Sequence, residues 1–246
     1  MDARCTLYVS SCDAYADLWE PFFLLFKKYW PDCPYPIVLV SETKTFSMEG
    51  LDILCPRFYK KEGNKFVDLN NKRPPQASVP WGELNIRSIK TIDTPYLFFI
   101  LEDFLLSQPV DQSFVDKSLV WMEQDSSIGR FGMRPLPQGF KGAPTRYSPY
   151  VQVSFAVAQA GLWRKDLFLR SITNPGDGIW KWEARGFWWP SAWKKKVYTT
   201  PTEYIRYPRS GALFQGKWQK SAIKLLKANG IEVDFKKRGV SSHVFR

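Results

Sequence analysis

Six consecutive apolar residues, Tyr96-Leu97-Phe98-Phe99-Ile100-Leu101, stop abruptly at Glu102-Asp103. A strand with one wet face alternates apolar and polar side chains. This run does not alternate, so both of its faces are covered, as in a central strand of a parallel sheet. In open sheets of that kind, ligands sit outside the carboxyl ends of the strands. The run therefore predicts an α/β fold and puts two carboxylates where a ligand would bind.

The rest of the chain fits that frame. Residues 6–10 read as a short buried strand, Ile37-Val38-Leu39-Val40 as a second and Asp52-Ile53-Leu54 as a third. Between the first two, Trp19, Phe22, Phe23, Phe26 and Trp30 recur at three and four and share one helical face, with Ser11, Asp13 and Asp17 as candidate caps. Residues 56–80 read as a polar surface loop near the site, 81–93 as a helix with Leu84, Ile89 and Ile92 inward, and 111–125 as another helix. Strands are expected over 128–133 and 151–157, with a Pro/Gly/basic loop between them and a helix over 163–172. Strands alternating with helices argue a mostly parallel sheet with crossover helices. No repeat or low-complexity tract divides the chain, so a single domain over 1–246 is expected.

Charge is unevenly placed. The net charge is +11, yet residues 194–246 hold 13 Lys or Arg against three acids. The body is thus nearly neutral, and the basic C-terminal segment suggests an anionic partner. Within it, Lys217, Lys220, Lys224 and Lys227 form one stripe of a helix expected over 217–229. Trp218, Ala222, Leu225 and Leu226 form the other, and Gly230 closes it. Such a basic face suits anionic lipid headgroups at the inner face of a membrane. The start Met1-Asp2-Ala3-Arg4-Cys5 shows no secretory pattern, no apolar stretch is long enough to span a bilayer, and four cysteines without metal spacing suit a reducing cytoplasm. His243 is the only histidine, which disfavours Ser-His-Asp, Cys-His and His-based metal chemistry. Neither phosphate-loop nor dinucleotide fingerprints occur.

Three constellations carry chemistry. Glu102 and Asp103 repel each other and lose water at the strand end, a cost that a divalent cation bridging a diphosphate would offset. Oxygen ligands suit Mg²⁺ or Mn²⁺. In Trp180-Lys181-Trp182-Glu183, the carboxylate is a candidate general base towards an acceptor hydroxyl, and Trp180 and Trp182 are candidate platforms for an acceptor sugar. Arg134, Lys141, Arg146 and Arg164 are candidates to stabilise a leaving diphosphate.

Several stretches, in this order, resemble small bacterial glycosyltransferases of cell-surface polysaccharide (capsule or lipopolysaccharide) synthesis with the GT-A type fold. They are Cys12 to Trp19 with Pro21-Phe22-Phe23, Phe26 to Asp32, Thr94 to Phe104, Tyr147-Ser148-Pro149-Tyr150, Gln159 to Arg164, Trp180 to Glu183, and Gly230 to Phe235. The resemblance implies a Rossmann-like donor half (about 1–110), an acceptor half (about 111–193) and a basic C-terminal helical appendage (194–246). It implies a nucleotide-sugar donor near Ser10, Ser11 and Asp13; Arg164 is the member of the basic group expected on the donor side. It implies Glu102 and Asp103 as the metal and diphosphate motif, a glycan or lipid-linked acceptor, and Glu183 in the region of the base. The usual DxD motif is here Glu102-Asp103-Phe104, which leaves the need for Mn²⁺ or Mg²⁺ open and favours Asp103 as the ligand. The alternatives are a catalytically silent carbohydrate binder on the same fold and, less favoured for want of any recognition motif, a nucleic-acid-binding protein.

Overall fold

The computed structural model describes residues 4–70, 73–135, 142–154, 157–185, 194–209 and 211–243. The first half runs β1 (Cys5–Ser10), a 3-10 turn (Asp13–Leu18), α1 (Trp19–Tyr29), β2 (Ile37–Val40), β3 (Ile53–Leu54), β4 (Tyr59–Glu62), β5 (Lys65–Asp68), α2 (Trp81–Ile89) and β6 (Tyr96–Leu101). Then come α3 (Gln112–Gln124), β7 (Ile128–Gly132), β8 (Ala143–Pro144), β9 (Val151–Val153), β10 (Gly161–Arg164), α4 (Lys165–Ser171) and α5 (Ile179–Arg185). β11 (Lys196–Thr199), β12 (Leu213–Phe214), β13 (Lys217–Trp218) and α6 (Lys220–Ala228) complete the order.

One mixed sheet runs β3-β2-β1-β6-β10-β7-β11-β9-β8. β3, β2, β1 and β6 are parallel neighbours. β10 is antiparallel to both β6 and β7, and β11 is again parallel to β7. The apolar run 96–101 is thus central and covered on both faces, but only one of its neighbours is parallel. Absence of alternation reports covered faces, not the direction of the adjacent strand.

Side chains of β1 and β6 feed two cores by turns, because successive Cβ atoms point to opposite faces. Leu7, Val9, Phe98 and Ile100 pack with the aromatic stripe of α1, with Phe114, Leu119 and Met122 of α3, and with Ala222 and Leu226 of α6. Tyr8, Leu97 and Phe99 pack with Leu84 and Ile89 of α2, Phe168 of α4 and Trp182 of α5. The result is helix, sheet, helix in three layers.

Four local expectations change. Residues 59–68 form the β4–β5 hairpin within the segment expected to be a loop, turning at Gly63 with φ +57. Gly161–Arg164 is a strand, so the helix expected from 163 begins at Lys165. Of the strand expected over 151–157, Val151–Val153 is observed, and 155–156 lie outside the described residues. The candidate caps Ser11, Asp13 and Asp17 do not cap the helix: Ser11 accepts from Trp19 Nε1 at 2.7 Å, and Asp17 binds Arg238. By contrast Asp111 caps α3, accepting from Phe114 N at 3.0 Å, as Asp at an N-cap is expected to do.

The C-terminal segment is packed into the domain rather than appended to it. Ala212, Leu213, Trp218, Ala222 and Leu226 join the first core. Lys217 and Trp218 lie in β13, so the basic helical stripe reduces to Lys220, Lys224 and Lys227, all exposed. Gly230, at φ +67, ends α6 as expected, in the left-handed conformation that glycine adopts freely.

Candidate functional site

β1 and β6 lie side by side, with Ser10 opposite Leu101. From β1 the chain steps out to β2 and β3, then returns to lay β6 on the other side of β1. Strand order reverses there, so the loops leaving the two carboxyl ends diverge and open a crevice. A cavity of about 790 Å³ fills it. Ser10 lines it at the end of β1, Ser11, Cys12 and Tyr15 in the segment that follows, and Glu102, Asp103 and Phe104 after β6. Ala158, Gln159, Trp180 and Glu183 form one wall, and Leu213 to Gly216 another.

Ser10 and Ser11 are built into the frame. Ser10 Oγ accepts from Trp81 Nε1 at 3.0 Å and donates to Asn85 Oδ1 at 3.1 Å. Asp13 does not line the cavity. Its carboxylate accepts from Thr43 N, Thr43 Oγ1 and Lys44 N and pins the loop after β2. Burial pushes its carboxyl up, but those hydrogen bonds prevail and hold it below the usual range. Asp13 thus acts on the β2 loop, not on a ligand in this cavity.

Glu102 and Asp103 face a different balance. Burial, then the charge of Asp103, pushes the Glu102 carboxyl well up. Burial also raises Asp103, against a backbone N–H from Leu213. Asp103 Oδ1 is sealed from solvent with no hydrogen-bond partner. Gly211, at φ +82, lies against this carboxylate, where any Cβ would collide with it, and Ala212 N donates to Asp103 O at 2.7 Å. The cation bearing most on Glu102, Arg238, is engaged with Asp17 at 2.5 Å and lies 4.7 Å over the Tyr15 ring. Among the described residues no cluster of three or more His, Cys, Asp or Glu forms a metal cage. The two adjacent carboxylates, one of them with an oxygen that has no hydrogen-bond partner, are oxygen donors of the kind that Mg²⁺ or Mn²⁺ would take alongside phosphate and water.

Glu183 sits on α5, and its Oε1 accepts from Ala158 N at 2.7 Å. Trp180 is 79% exposed and faces the cavity. Trp182 is 1% exposed, donates to Ser171 Oγ at 2.8 Å and packs 5.1 Å from Trp81. It is not an acceptor platform, because helical residues two apart do not share a face.

None of the described members of the basic group lines the cavity. Arg164 faces Tyr96 at the amino end of β6, on the opposite rim. It donates to Ile128 O at 2.7 Å, to Met122 O and to Asp125 O, satisfying carbonyls at the end of α3 and the start of β7. That excludes a donor-side role in this cavity. Arg134 is buried against Glu203 and the Tyr207 ring, and Arg146 pairs with Asp125. Lys141, like residues 186–193 of the Trp-rich stretch, lies outside the described residues.

Sequence reasoning missed the wall formed by Leu213 to Gly216. Gln215 and Gly216 both have positive φ (51° and 77°) and turn the β12–β13 hairpin. The signal was a two-residue Gln-Gly turn between short apolar pairs, weaker than the usual Asn-Gly. Tyr15 and Gln159 fall within stretches that carry the resemblance, but neither residue type nor spacing marks them, or Ala158, as lining positions.

No family model and no curated protein matches the chain. Among solved structures, S. aureus TarS aligns at 8% identity and a TM-score of 0.46, covering 80% of this chain and 35% of that one. TarS 1-349 gives the same identity and TM-score and is covered over 58% of its length. The bifunctional IspDF from Campylobacter jejuni aligns at 10% identity and a TM-score of 0.44, over 83% of this chain and 52% of that one. The chain spans less than two thirds of each.

Proposed function

We propose that this chain transfers a sugar from a nucleotide-activated donor to a hydroxyl of a saccharide acceptor, in the manner of the GT-A type enzymes its sequence resembles. The observation that carries this reading is one cavity, at the strand-order reversal, with Glu102 and Asp103 on its floor and Glu183 on its wall.

The division of labour follows from the residues. Asp103, with Glu102 behind it, would hold Mn²⁺ or Mg²⁺ against the donor diphosphate. When bound, the ion supplies positive charge for the leaving group. Glu183, fixed through Oε1 by the Ala158 N–H, keeps a second oxygen to take the acceptor hydroxyl proton. Trp180 offers an indole face on which an acceptor ring can stack. For a lipid-linked acceptor, the exposed Lys220, Lys224 and Lys227 would meet anionic headgroups. Co-sedimentation with anionic but not neutral vesicles tests that extension.

A thermal-shift screen with UDP, GDP, CMP and dTDP, with and without Mn²⁺, tests the main reading. One nucleotide is expected to raise Tm, more with Mn²⁺ than without. Indifference to all four would sink the reading and favour the silent carbohydrate binder.

A further inference from the structure

Asp68, Glu83, Arg134 and Asp177 are buried charges with ion-pair partners, and Arg130 is a further buried charge that the proposed chemistry does not use. Arg130, in the middle of β7, is 1% exposed. Its Nε and Nη1 have no hydrogen-bond partner, and burial lowers the guanidinium to about 10. The Trp163 ring lies 5.1 Å away, and the hydrogen bonds of the group are confined to Nη2. Room for the group is made by Gly132, where a Cβ would run into Arg130 Nη1. A buried cation held this way costs stability, and an apolar replacement of similar volume is often neutral or stabilising.

What the guanidinium does hold is the strap beside the cavity. Nη2 donates to Val157 O at 3.2 Å and to Gln159 O at 3.0 Å. Both carbonyls flanking Ala158 are thereby drawn to Arg130, while the Ala158 N–H points to Glu183 Oε1 at 2.7 Å. Ala158 and Gln159 themselves line the cavity. The charges of Arg130 and Glu183 also attract each other.

We propose that Arg130 is a positioning residue for Glu183: it clamps the carbonyls of Val157 and Gln159 so that the intervening N–H fixes the Glu183 carboxylate at the cavity wall. This rests on the reading of Glu183 as the base. Arg130 does not line the cavity, and its effect is transmitted through the strap.

The test compares Arg130→Met, Arg130→Lys and Glu183→Ala with wild type. Amide hydrogen exchange at Ala158 is read alongside amides of β1 and β6. In Arg130→Met, Ala158 exchange is expected to quicken about tenfold or more while the β1 and β6 amides hold their rates, because the lost contact is local. kcat is expected to fall about 100-fold with donor KM nearly unchanged, the scale of misplacing a reacting group. Arg130→Lys is expected to restore part of both. Glu183→Ala is expected to free the Ala158 amide with Arg130 intact. Unchanged Ala158 exchange in Arg130→Met, or loss of kcat together with a general rise in core exchange, would overturn the proposal. If Arg130→Met does not fold, Arg130→Lys and Glu183→Ala still decide it: an Ala158 amide indifferent to both would overturn the clamp. An Ala158 amide freed in Arg130→Met and in Glu183→Ala, together with a wild type that shows no sugar transfer, would uphold the clamp and sink the base role instead.

Discussion

The cavity holds carboxylates at two stations that are built in opposite ways. Glu102 and Asp103 are fixed by the end of a central strand, under burial that disfavours their charge, with one oxygen left without a partner. Glu183 sits on a short helix and receives a backbone N–H from a strap. The floor is rigid and electrostatically unsatisfied, so it is suited to gain from an incoming cation. The wall is held by a supplied hydrogen bond and keeps a second carboxylate oxygen, so it is suited to take a proton. Stored cost at one station and supplied hydrogen bonding at the other are how a pocket separates binding from proton transfer.

The largest expected effect breaks the floor. Asp103→Ala should cut donor turnover by at least about 1,000-fold, the scale of losing charge stabilisation of a leaving group, with the fold retained by circular dichroism. Turnover near wild type would remove the floor from the chemistry. Glu183→Gln comes next: kcat should fall about 100-fold or more, as for loss of a general base, while nucleotide affinity by calorimetry stays unchanged. A parallel loss of nucleotide affinity would show that the two stations are not separate.

Stability sharpens the contrast further. Trp182→Ala should cost about 3–5 kcal/mol in urea unfolding, as for other core aromatics, whereas Trp180→Ala should leave the midpoint unmoved. Its expected effect is a rise in acceptor KM of about 2- to 10-fold, matching the usual worth of an aromatic contact. The smallest effect is the pH dependence of the floor. Folded Glu102 and Asp103 have carboxyls raised above their unfolded values. Their stabilising share is therefore fully present below about pH 4, the unfolded range, and is lost as pH rises towards neutrality. Asp103→Asn should flatten that fall in Tm, and Mn²⁺ should offset it in wild type at pH 8 more than at pH 5. An unchanged slope in Asp103→Asn would mean that the carboxylate is not buried as described.

The sequence was most legible where local pattern and burial agree. The run 96–101, the stripe of α1 and the strand 37–40 have one consistent reading, and the acids at 102 and 103 inherited their place from the strand before them. Arg164 was illegible for the opposite reason: its role depends on β10 running antiparallel to β6, a pairing that no local pattern encodes. Trp180 and Trp182 looked alike in a Trp-rich stretch and were separated only by the register of a helix against the core.

The amino-acid sequence by itself determined that a doubly covered strand ends in two acids, because continuous apolarity requires cover on both faces and charge ends it. Tertiary structure alone decided what shares the cavity with them. Strand order, the 213–216 hairpin and the strap held by Arg130 bring together residues more than a hundred positions apart. Such contacts depend on how layers pack, and packing leaves no periodic trace in the chain.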